Sequence, residues 1–553
     1  MSRITDDQIV ITGVGLVTPL GVGRERCWQA ILGGQSALHW RRQRGIGQRS
    51  VPQRAQDAGV VDDEPQCEFA GNSVRGRANR VDTSTVAGEP PTATSAHAAP
   101  PAIIRSGSHT ALRSTLPQQW SRGGFAAGGP LPPLGPALAD IERCLAAGAR
   151  RGMPVSAPEA KGRIAAGISE RAGRGFGPWR EVLCGAWPDR TVQAATVACA
   201  EALRDAALPL DLSRFGHRCG VILGTSKGGL ARVQQLLRPG ETAGPVRPTG
   251  ATRRAAATGG RTDPRGDAWN AIWQSIGPQT AAECISELFR IQGPRTVPVA
   301  ACATGLLAVA QAAQWLRQGI CDVVICGSAD ASLCDSVLAS FQRLGVLANR
   351  FEEPSRAVRP FDRSRTGFLV GEGAAVFVLE KLSTARTRKR RPYARWLAEG
   401  WATDPTGLTN MDASGSNLAR LITDVLSRGG LAARDVDLIG FHGTATRAND
   451  LCETRAVKAA LGPSAYRASG FSLKPAVGHL LGAAGSVELA ATVLALRDHV
   501  VPPTLNLRHA DPLCDLDYTP DRARPRRLRA ALKLSLGFGG HLAVAAIGGW
   551  DEI

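Results

Sequence analysis

Apolar and polar residues alternate along the chain in the manner of a layered α/β protein. Short apolar runs predict buried strands at residues 219–224, 322–327, 374–380 and 436–441. Longer runs with helical periodicity predict helices at residues 190–208, near 303–318 and near 480–497. Strands that are apolar on both faces need helices on each side of the sheet, so the pattern indicates α/β layering.

Residues 8–35 at the start of the chain predict a buried strand, a Gly/Pro turn and a short helix.

Two long tracts interrupt the α/β pattern. Residues 38–180 are rich in Arg, Gly, Pro, Ser and Ala, with a helical patch near 137–148, and residues 239–267 have a similar composition. Loops of this length are uncommon inside a compact domain, so we expect both tracts to be insertions, with 83–136 loosely ordered.

The composition excludes several classes of protein. A chain of 553 residues with 43% hydrophobic residues predicts a globular protein with a large core. No run reaches the ~18 apolar residues that span a bilayer, and no apolar signal segment is visible, so we expect a cytoplasmic protein. Thirteen cysteines without a CxxC pair predict neither a zinc ribbon nor a disulfide framework. We expect most, including Cys321 and Cys326, to be buried reduced thiols.

The net charge of +18 is compatible with nucleic-acid binding, but its distribution argues against that function. Only seven of the 66 basic residues are Lys, and no long basic block is interleaved with aromatic residues. The excess of Arg accompanies much Ala, Gly and Pro, which is typical of genome-wide composition bias. The basic surface is either simply solvated or a docking face for an acidic partner, and both interpretations stay open.

A cysteine lies where an apolar strand-like run meets a helix. Residues 296–319 read TVPVAACATGLLAVAQAAQWLRQG, and the helical run ends at Gly319. Cys302 is therefore predicted at a helix N-terminus, where the dipole and free N–H groups favour a thiolate. Taken alone, a cysteine in such an Ala-rich run is more often a structural core residue.

Two histidines occupy comparable positions further along the chain. His442 directly follows the apolar run 436–441, and His479 opens an apolar helix shortly after Lys474. Polar residues at the carboxyl end of a strand are typical of sites in α/β proteins. Because the chain has only nine His, one Cys and two His at element ends predict a nucleophile with accompanying bases.

Together these segments resemble the β-ketoacyl-acyl-carrier-protein synthases, the elongating condensing enzymes of fatty-acid and polyketide assembly. The resemblance covers residues 8–35 and about 185–553. It is carried by ITGVGLVTPLG, ACATG, RPFDRSRTGFLVGEGAAVFVLE, HGTATRAND, KPAVGHLLGAAGSVE, VPPTLNL, CDLDY and SLGFGG. It implies a thiolase-like fold with two similar halves in a five-layered αβαβα arrangement, divided into residues 1–384 and 385–553. A homodimer is implied as well.

The resemblance also implies roles for the matching residues. Cys302 would accept an acyl chain from a carrier-protein thioester. His442 and His479 would hydrogen-bond the malonyl thioester carbonyl, so that decarboxylation yields a carbanion that attacks the acyl-Cys302 carbonyl. The supporting residues would be Lys474 with Glu488 as its ion-pair partner, Thr444 and Thr446 on the phosphopantetheine arm, and Phe538 as gate and oxyanion donor. The chemistry needs no metal and no redox cofactor, since the phosphopantetheine arrives on the carrier protein.

Two segments depart from the family pattern. After GFGG the family usually has Thr-Asn, whereas this chain has His541 and Leu542. In GTSKGGL, Lys227 stands where many relatives carry an apolar residue at the floor of the acyl pocket. These departures bear on the acyl substrate and leave the catalytic set unchanged.

The favoured function is decarboxylative Claisen condensation with an acyl carrier protein and acyl and malonyl thioesters as partners, without nucleic acid and without a membrane span. A non-catalytic chain-length-determining subunit would lack the nucleophile. A thiolase acting on coenzyme A thioesters would use a second Cys as base, and an initiating synthase would have Asn where His479 stands. A nucleic-acid-binding protein is supported by charge alone.

Overall fold

The structure is a computed structural model. It describes residues 5–42, 124–127, 130–150, 176, 179–184, 189–230, 233–234 and 276–550. Predictions for residues 239–267, and for most of 38–180, lie outside the described residues. Residues 1–41 and 125–553 form one compact unit, and residues 42–124 form a second that is almost wholly outside the described part.

Eleven strands of the described residues form one sheet. They are β1 (Ile9–Thr18), β2 (Gly21–Val22), β5 (Cys219–Gly224), β6 (Arg295–Thr296), β7 (Val323–Asp330), β8 (Gly373–Lys381), β9 (Ala394–Thr403), β10 (Leu438–Gly440), β11 (Ser469–Phe471), β14 (Ala530–Gly537) and β15 (His541–Gly549). Shorter strands outside this sheet are β3 (His39–Arg42), β4 (Gly124–Ala127), β12 (Val500–Val501) and β13 (Arg524–Pro525).

The sheet consists of two halves with the same topology. One half has the order β6-β5-β7-β8-β1, and the other has the order β11-β10-β14-β15-β9. Both halves combine two parallel pairings with two antiparallel pairings in the same sequence. They join where β1 pairs antiparallel with β9, at Val10 opposite Arg395 and Ile11 opposite Ala394. The predicted pair of similar halves is confirmed.

Helices complete the five predicted layers. The described helices are α1 (Arg24–Leu32), α2 (Gly135–Arg150), α3 (Arg180–Cys184), α4 (Arg190–Asp205), α5 (Thr280–Leu288), α6 (Thr304–Arg317), α7 (Asp335–Arg343), α8 (Leu382–Thr387), α9 (Ser416–Arg428), α10 (Arg447–Leu461), α11 (Lys474–Val477) and α12 (Ala484–Asp498). Helices α6 and α12 pack in a central core between the two half-sheets. Helices α4 and α5 cover the outer face of the first half, and α9 and α10 cover that of the second.

Most predicted elements agree with the structure to within a few residues. The run CGVILG forms β5 with its predicted ends. The helix predicted near 480–497 is different, because α12 begins only at Ala484. A positive φ of 80° at Gly478 ends α11, and a 3₁₀ turn at Leu481–Ala483 precedes α12. His479 therefore lies between two helices, and the prediction that it opens a helix is wrong.

Part of the tract 38–180 packs on the framework. The helical patch predicted near 137–148 is α2. Leu131, Leu134 and Leu138 are buried in the core on the outer face of the first half-sheet. The backbone of Leu131 bridges two framework residues, because its N–H donates to Glu372 at 3.3 Å and its carbonyl accepts from Arg190 at 2.8 Å.

The described cysteines behave as the sequence predicts. All are free thiols, and only Cys144 and Cys184 among them are exposed. Cys321 and Cys326 are completely buried next to and within β7. In the part of the chain that the structure covers, no helix is both long and apolar enough to cross a membrane.

Candidate active site

Cys302 lies in a 3₁₀ turn, Ala301–Ala303, that leads directly into α6. Ala301 adopts a positive φ of 46°, a strained conformation for a residue with a side chain. The hydroxyl of Thr304 holds the turn, since it accepts from the Ala300 N–H and donates to the Ala301 carbonyl, both at 2.8 Å. Cys302 is thereby held at the N-terminus of α6, with only 7% of its surface exposed.

His479 contacts the nucleophile directly. Its Nε2 lies 3.1 Å from the Sγ of Cys302, although 177 residues separate them along the chain. The backbone of His479 is fixed by hydrogen bonds of 2.7 Å to the Leu369 carbonyl and 3.0 Å from the Gly371 N–H. Its ring packs against the ring of Phe368 in a T-shaped arrangement, with centroids 4.7 Å apart. These contacts hold Nε2 towards the thiol.

His442 follows β10 and completes the group, with its ring centroid 5.2 Å from that of His479. The Lys474 Nζ lies 3.3 Å from the His442 Nδ1 and also donates to the His442 carbonyl. An ammonium group can only donate, so Nδ1 accepts and the ring proton of neutral His442 is on Nε2. The carboxylate of Glu453 accepts from the His442 and Gly443 N–H groups at 2.6 and 2.7 Å, which anchors the loop.

Burial determines the protonation of all three groups. Desolvation, reinforced by the nearby positive charge of Lys474, lowers the pKa of His442 and His479 well below the ordinary value. Desolvation raises the pKa of the Cys302 thiol to about 11, although Lys227 and Lys474 act in the opposite direction. The resting site therefore contains a thiol and two neutral imidazoles, in which His479 is placed to accept the thiol proton.

Lys474 belongs to a buried charge cluster. Its Nζ lies 2.5 Å from one carboxylate oxygen of Glu488, as predicted for this pair, and Lys533 Nζ lies 2.9 Å from the other. All three side chains are almost completely inaccessible to solvent. The sequence analysis did not identify Lys533. The available signal was a lysine within ALKLSLG, an otherwise apolar run.

Phe538 lies on the short connection between β14 and β15, followed by Gly539 and Gly540 with φ of 85° and 78°. Its ring centroid is 6.4 Å from that of Phe341, which in turn packs 5.7 Å from Phe368 beneath His479. The structure thus links the predicted gate residue to His479 through two aromatic rings. Phe341 and Phe368 were not identified from the sequence.

Lys227 lies at the edge of the same aromatic cluster. Its Nζ is 5.8 Å from the centroid of Phe341 and donates to the Ser226 hydroxyl at 2.7 Å. That hydroxyl donates to the buried carboxylate of Asp330. The positive charge of Lys227 lowers the pKa of both Cys302 and His479. For the Cys302 thiol this opposes burial, which raises the pKa. The ammonium group therefore acts on the site electrostatically.

Thr444 and Thr446 lie between His442 and α10. Their hydroxyl oxygens are 2.8 Å apart, Thr444 is buried and Thr446 is half-buried. The Arg365 guanidinium lies 3.4 Å from the Thr446 carbonyl and pairs with buried Asp450 at the same distance of 3.4 Å. The loop is thus rigidly supported, and the role of its threonines at a phosphopantetheine arm stays a prediction.

Among the described residues, one group of three or more His, Cys, Asp or Glu side chains has atoms close enough together to hold a metal ion. The group consists of Cys302, His442 and His479. Those atoms all lie within 4.8 Å of one another. The Cys302 thiol is already paired with His479, and Lys474 occupies Nδ1 of His442. The role of the three residues in thioester chemistry and the expectation of a metal-free site both stay predictions.

Comparison with known proteins agrees with this arrangement. The family profile described as beta-ketoacyl synthase, N-terminal domain, matches residues 188–385, and the corresponding C-terminal domain profile matches residues 393–508. The tetracenomycin polyketide synthase ketoacyl synthase alpha subunit of Streptomyces glaucescens is 36% identical over 65% of this chain and 81% of its own length. The 3-oxoacyl-[acyl-carrier-protein] synthase 2 of Synechocystis is 34% identical over 64% of this chain and 80% of its own length.

Solved structures share the fold. A chain from a type II PKS acyl-carrier protein in complex with its ketosynthase bound to the hexaketide has a TM-score of 0.66 and 22% identity, over 98% of this chain and 99% of that one. The ishigamide ketosynthase/chain length factor has a TM-score of 0.65 and 24% identity, over 98% and 99% of the two chains. The predicted thiolase-like fold is confirmed.

Proposed function

Because the chain belongs to the beta-ketoacyl synthase family, we propose that it is a carrier-protein-dependent condensing enzyme that elongates an acyl group held on Cys302. The observation that carries this proposal is the 3.1 Å contact between Nε2 of His479 and Sγ of Cys302 at the N-terminus of α6. A chain-length-determining subunit needs no such pair, so we favour the catalytic function.

In the first step, the Cys302 sulfur attacks the carbonyl of an acyl thioester carried on phosphopantetheine. His479 accepts the thiol proton, which is necessary because the pKa of this buried thiol is about 11. The tetrahedral intermediate then collapses, the bond to the phosphopantetheine sulfur breaks, and the proton leaves with that sulfur. Backbone N–H groups of Cys302 and Phe538 would stabilise the oxyanion.

In the second step, a malonyl thioester occupies the same site. The Nε2–H of His442 would donate to its thioester carbonyl. His479, whose neutral ring must carry its proton on Nε2 in this step instead of on Nδ1, would donate as well. Both donors stabilise the enolate as the C–C bond to the carboxylate breaks and CO₂ leaves. The enolate carbon attacks the acyl-Cys302 carbonyl. The thioester C–S bond breaks, the Cys302 thiolate leaves and takes up a proton from water to restore the resting thiol, and the β-ketoacyl group stays on the carrier.

An acyl carrier protein would deliver both substrates to the site. The substrates would be acyl and malonyl groups on an acyl carrier protein, with Thr444 and Thr446 hydrogen-bonding the phosphopantetheine arm. The relatives include a polyketide synthase subunit and a 3-oxoacyl-[acyl-carrier-protein] synthase, which supports both pathways as sources of the acyl chain. We propose a homodimer in the cytoplasm that works without a metal or redox cofactor.

The decisive experiment measures the intact mass of the protein after incubation with acyl-carrier thioesters of several lengths. The wild-type protein should gain one acyl group. Cys302→Ala should gain none and should lose condensation, yet it should still decarboxylate malonyl-carrier protein because both histidines remain.

The matched control is Cys321→Ala, which removes another buried thiol and should be acylated like the wild type. An acyl adduct on Cys302→Ala, or condensation by that variant at the wild-type rate, would disprove the assignment of the nucleophile.

A further inference from the structure

Lys533 is a buried lysine in the half-sheet that carries His442. It lies in β14 and is 0% exposed. Its Nζ is 2.9 Å from Glu488 and 3.2 Å from the Gly440 carbonyl, and it also donates to the Leu534 carbonyl. An isolated ammonium group is very costly to bury, so this side chain is placed specifically by two carbonyl acceptors and one ion pair.

The neighbouring strand leaves room for this side chain. Gly440 of β10 lies opposite Lys533 of β14 in the strand pairing. Gly440 precedes His442 by two residues along the chain. A Cβ on Gly440 would stand 3.0 Å from Cδ of Lys533, closer than side chains normally pack. The glycine therefore lets the stem of Lys533 pass over β10 and reach Glu488.

Glu488 connects Lys533 to the catalytic histidine. One carboxylate oxygen pairs with Lys533 at 2.9 Å and the other with Lys474 at 2.5 Å. Lys474 in turn lies 3.3 Å from the Nδ1 of His442. Burial lowers the pKa of Lys533, whereas Glu488 raises it. With both lysines protonated, two ammonium groups share one carboxylate, and the cluster has a net charge of +1 beside the imidazole. With one lysine alone, the cluster would be neutral.

We propose that Lys533 is a positioning residue for His442: by sharing the charge of Glu488 it leaves a net positive cluster beside Nδ1 that keeps His442 neutral, with its proton on Nε2. This inference rests on the proposed function, because that function gives the Nε2–H of His442 its role. If Nδ1 were protonated, it would face the ammonium group of Lys474, and repulsion would turn the ring away.

Several charged or titratable groups surround His442, and all of them affect its protonation. They are Lys474 on α11, His479 after α11, Lys533 on β14, Glu488 on α12, Glu453 on α10 and Cys302 before α6. Burial, Lys474, His479 and Lys533 all lower the pKa of His442. Removing Lys533 takes one cation away from His442. It also leaves Glu488 to neutralise Lys474 alone. Each change raises the pKa of His442.

The test is Lys533→Met, which keeps the length of the apolar stem and removes the charge. We expect the acidic limb of the malonyl-carrier decarboxylation profile to move to higher pH by about one unit, with an unchanged KM for the carrier. Lys458→Met is the control, because Lys458 is a half-buried lysine paired with Asp515 at 2.9 Å and should leave the profile unchanged. An unshifted profile for Lys533→Met overturns the inference.

A direct measurement separates this inference from the proposed function. Histidine labelled with ¹⁵N, with the His442 signals assigned by comparison with His442→Ala, reports the pKa of His442 whether or not the protein decarboxylates. We expect a higher pKa in Lys533→Met than in the wild type. A wild-type protein that does not decarboxylate contradicts the proposed function, whereas equal His442 pKa values overturn the role of Lys533.

The double variant Lys533→Met/Glu488→Gln restores the net charge of +1, now on Lys474 alone. If Lys533 acts through charge, the pKa of His442 should return towards the wild-type value. A pKa that stays at the value of the single variant, or moves further from the wild type, contradicts the electrostatic account.

Discussion

Gly537, the last residue of β14, lies against the backbone of Cys302. An ideal Cβ on Gly537 would stand 3.1 Å from the amide nitrogen of Cys302 and 2.8 Å from the carbonyl of Ala300. The close approach joins the second half-sheet to the turn that carries the nucleophile. The residue after Gly537 is Phe538, whose backbone N–H the proposed function pairs with that of Cys302 around an oxyanion.

Gly537→Ala should therefore separate the two backbone donors. We expect acylation of Cys302 to slow by about 10²-fold, as is typical when one oxyanion donor is lost. Intact-mass time courses measure this rate. Gly135→Ala is the control, since a Cβ there meets nothing within 4 Å. Wild-type acylation by Gly537→Ala would show that the close contact is not needed.

His442→Ala and His479→Ala should differ in which step they impair. Each should lower malonyl decarboxylation by ~10²–10³-fold, because each removes a donor to the enolate. Only His479 contacts Cys302 Sγ, at 3.1 Å, so its loss should also slow acylation. Parallel assays of CO₂ release and protein mass distinguish the steps, with exposed His509→Ala as control. Undiminished decarboxylation would remove that histidine from the site.

Lys227→Ile tests whether the ammonium group limits the acyl pocket. Longer saturated acyl chains should gain kcat/KM, by ~1–3 kcal/mol per methylene accommodated. The thiol of Cys302 should also become less reactive towards iodoacetamide, because loss of a nearby cation raises its pKa further. Lys227→Arg keeps the charge and should retain thiol reactivity. An unchanged chain-length profile in Lys227→Ile would show that Lys227 does not shape the pocket.

Glu453 should make stability depend on pH in a direction unusual for an acid. Burial raises its pKa from 4.5 to about 7, so its contribution to the free energy of unfolding is complete below pH 4.5 and is lost as pH rises through 7. The change is on the order of 3 kcal/mol. Urea unfolding should show the wild type losing stability relative to Glu453→Gln across this range, whereas exposed Glu353→Gln should follow the wild type. Parallel curves for wild type and Glu453→Gln would contradict the assignment.

Dialysis against EDTA should leave acylation and decarboxylation unchanged. Sγ of Cys302 and Nδ1 of His442 already contact His479 and Lys474, so the site has its partners without a metal ion. Rates are compared with a sample dialysed without chelator. Activity that is lost and then restored by Zn²⁺ would overturn the prediction of a metal-free site.

Local sequence pattern was sufficient for most of the elements and for much of the candidate catalytic group, although it placed His479 wrongly at a helix start. The apolar run 219–224 predicted β5 to the residue, because burial on both faces of a strand leaves a continuous local signal. Strand-to-helix boundaries drew attention to Cys302 and His442, and the family motifs added Lys474 and Glu488. The structure brings all four together with His479. Their catalytic roles stay predictions.

Tertiary structure alone decided how these residues act on one another. The position of Lys533 beside Glu488 and the carboxylate of Glu453 under the His442 loop depend on contacts between distant segments. So does the 3.1 Å approach of His479 to Cys302 across 177 residues. The pKa values also follow from depth of burial and from the sum of nearby charges. Both are properties of the packed chain, whereas sequence periodicity reports only which face of each element is apolar.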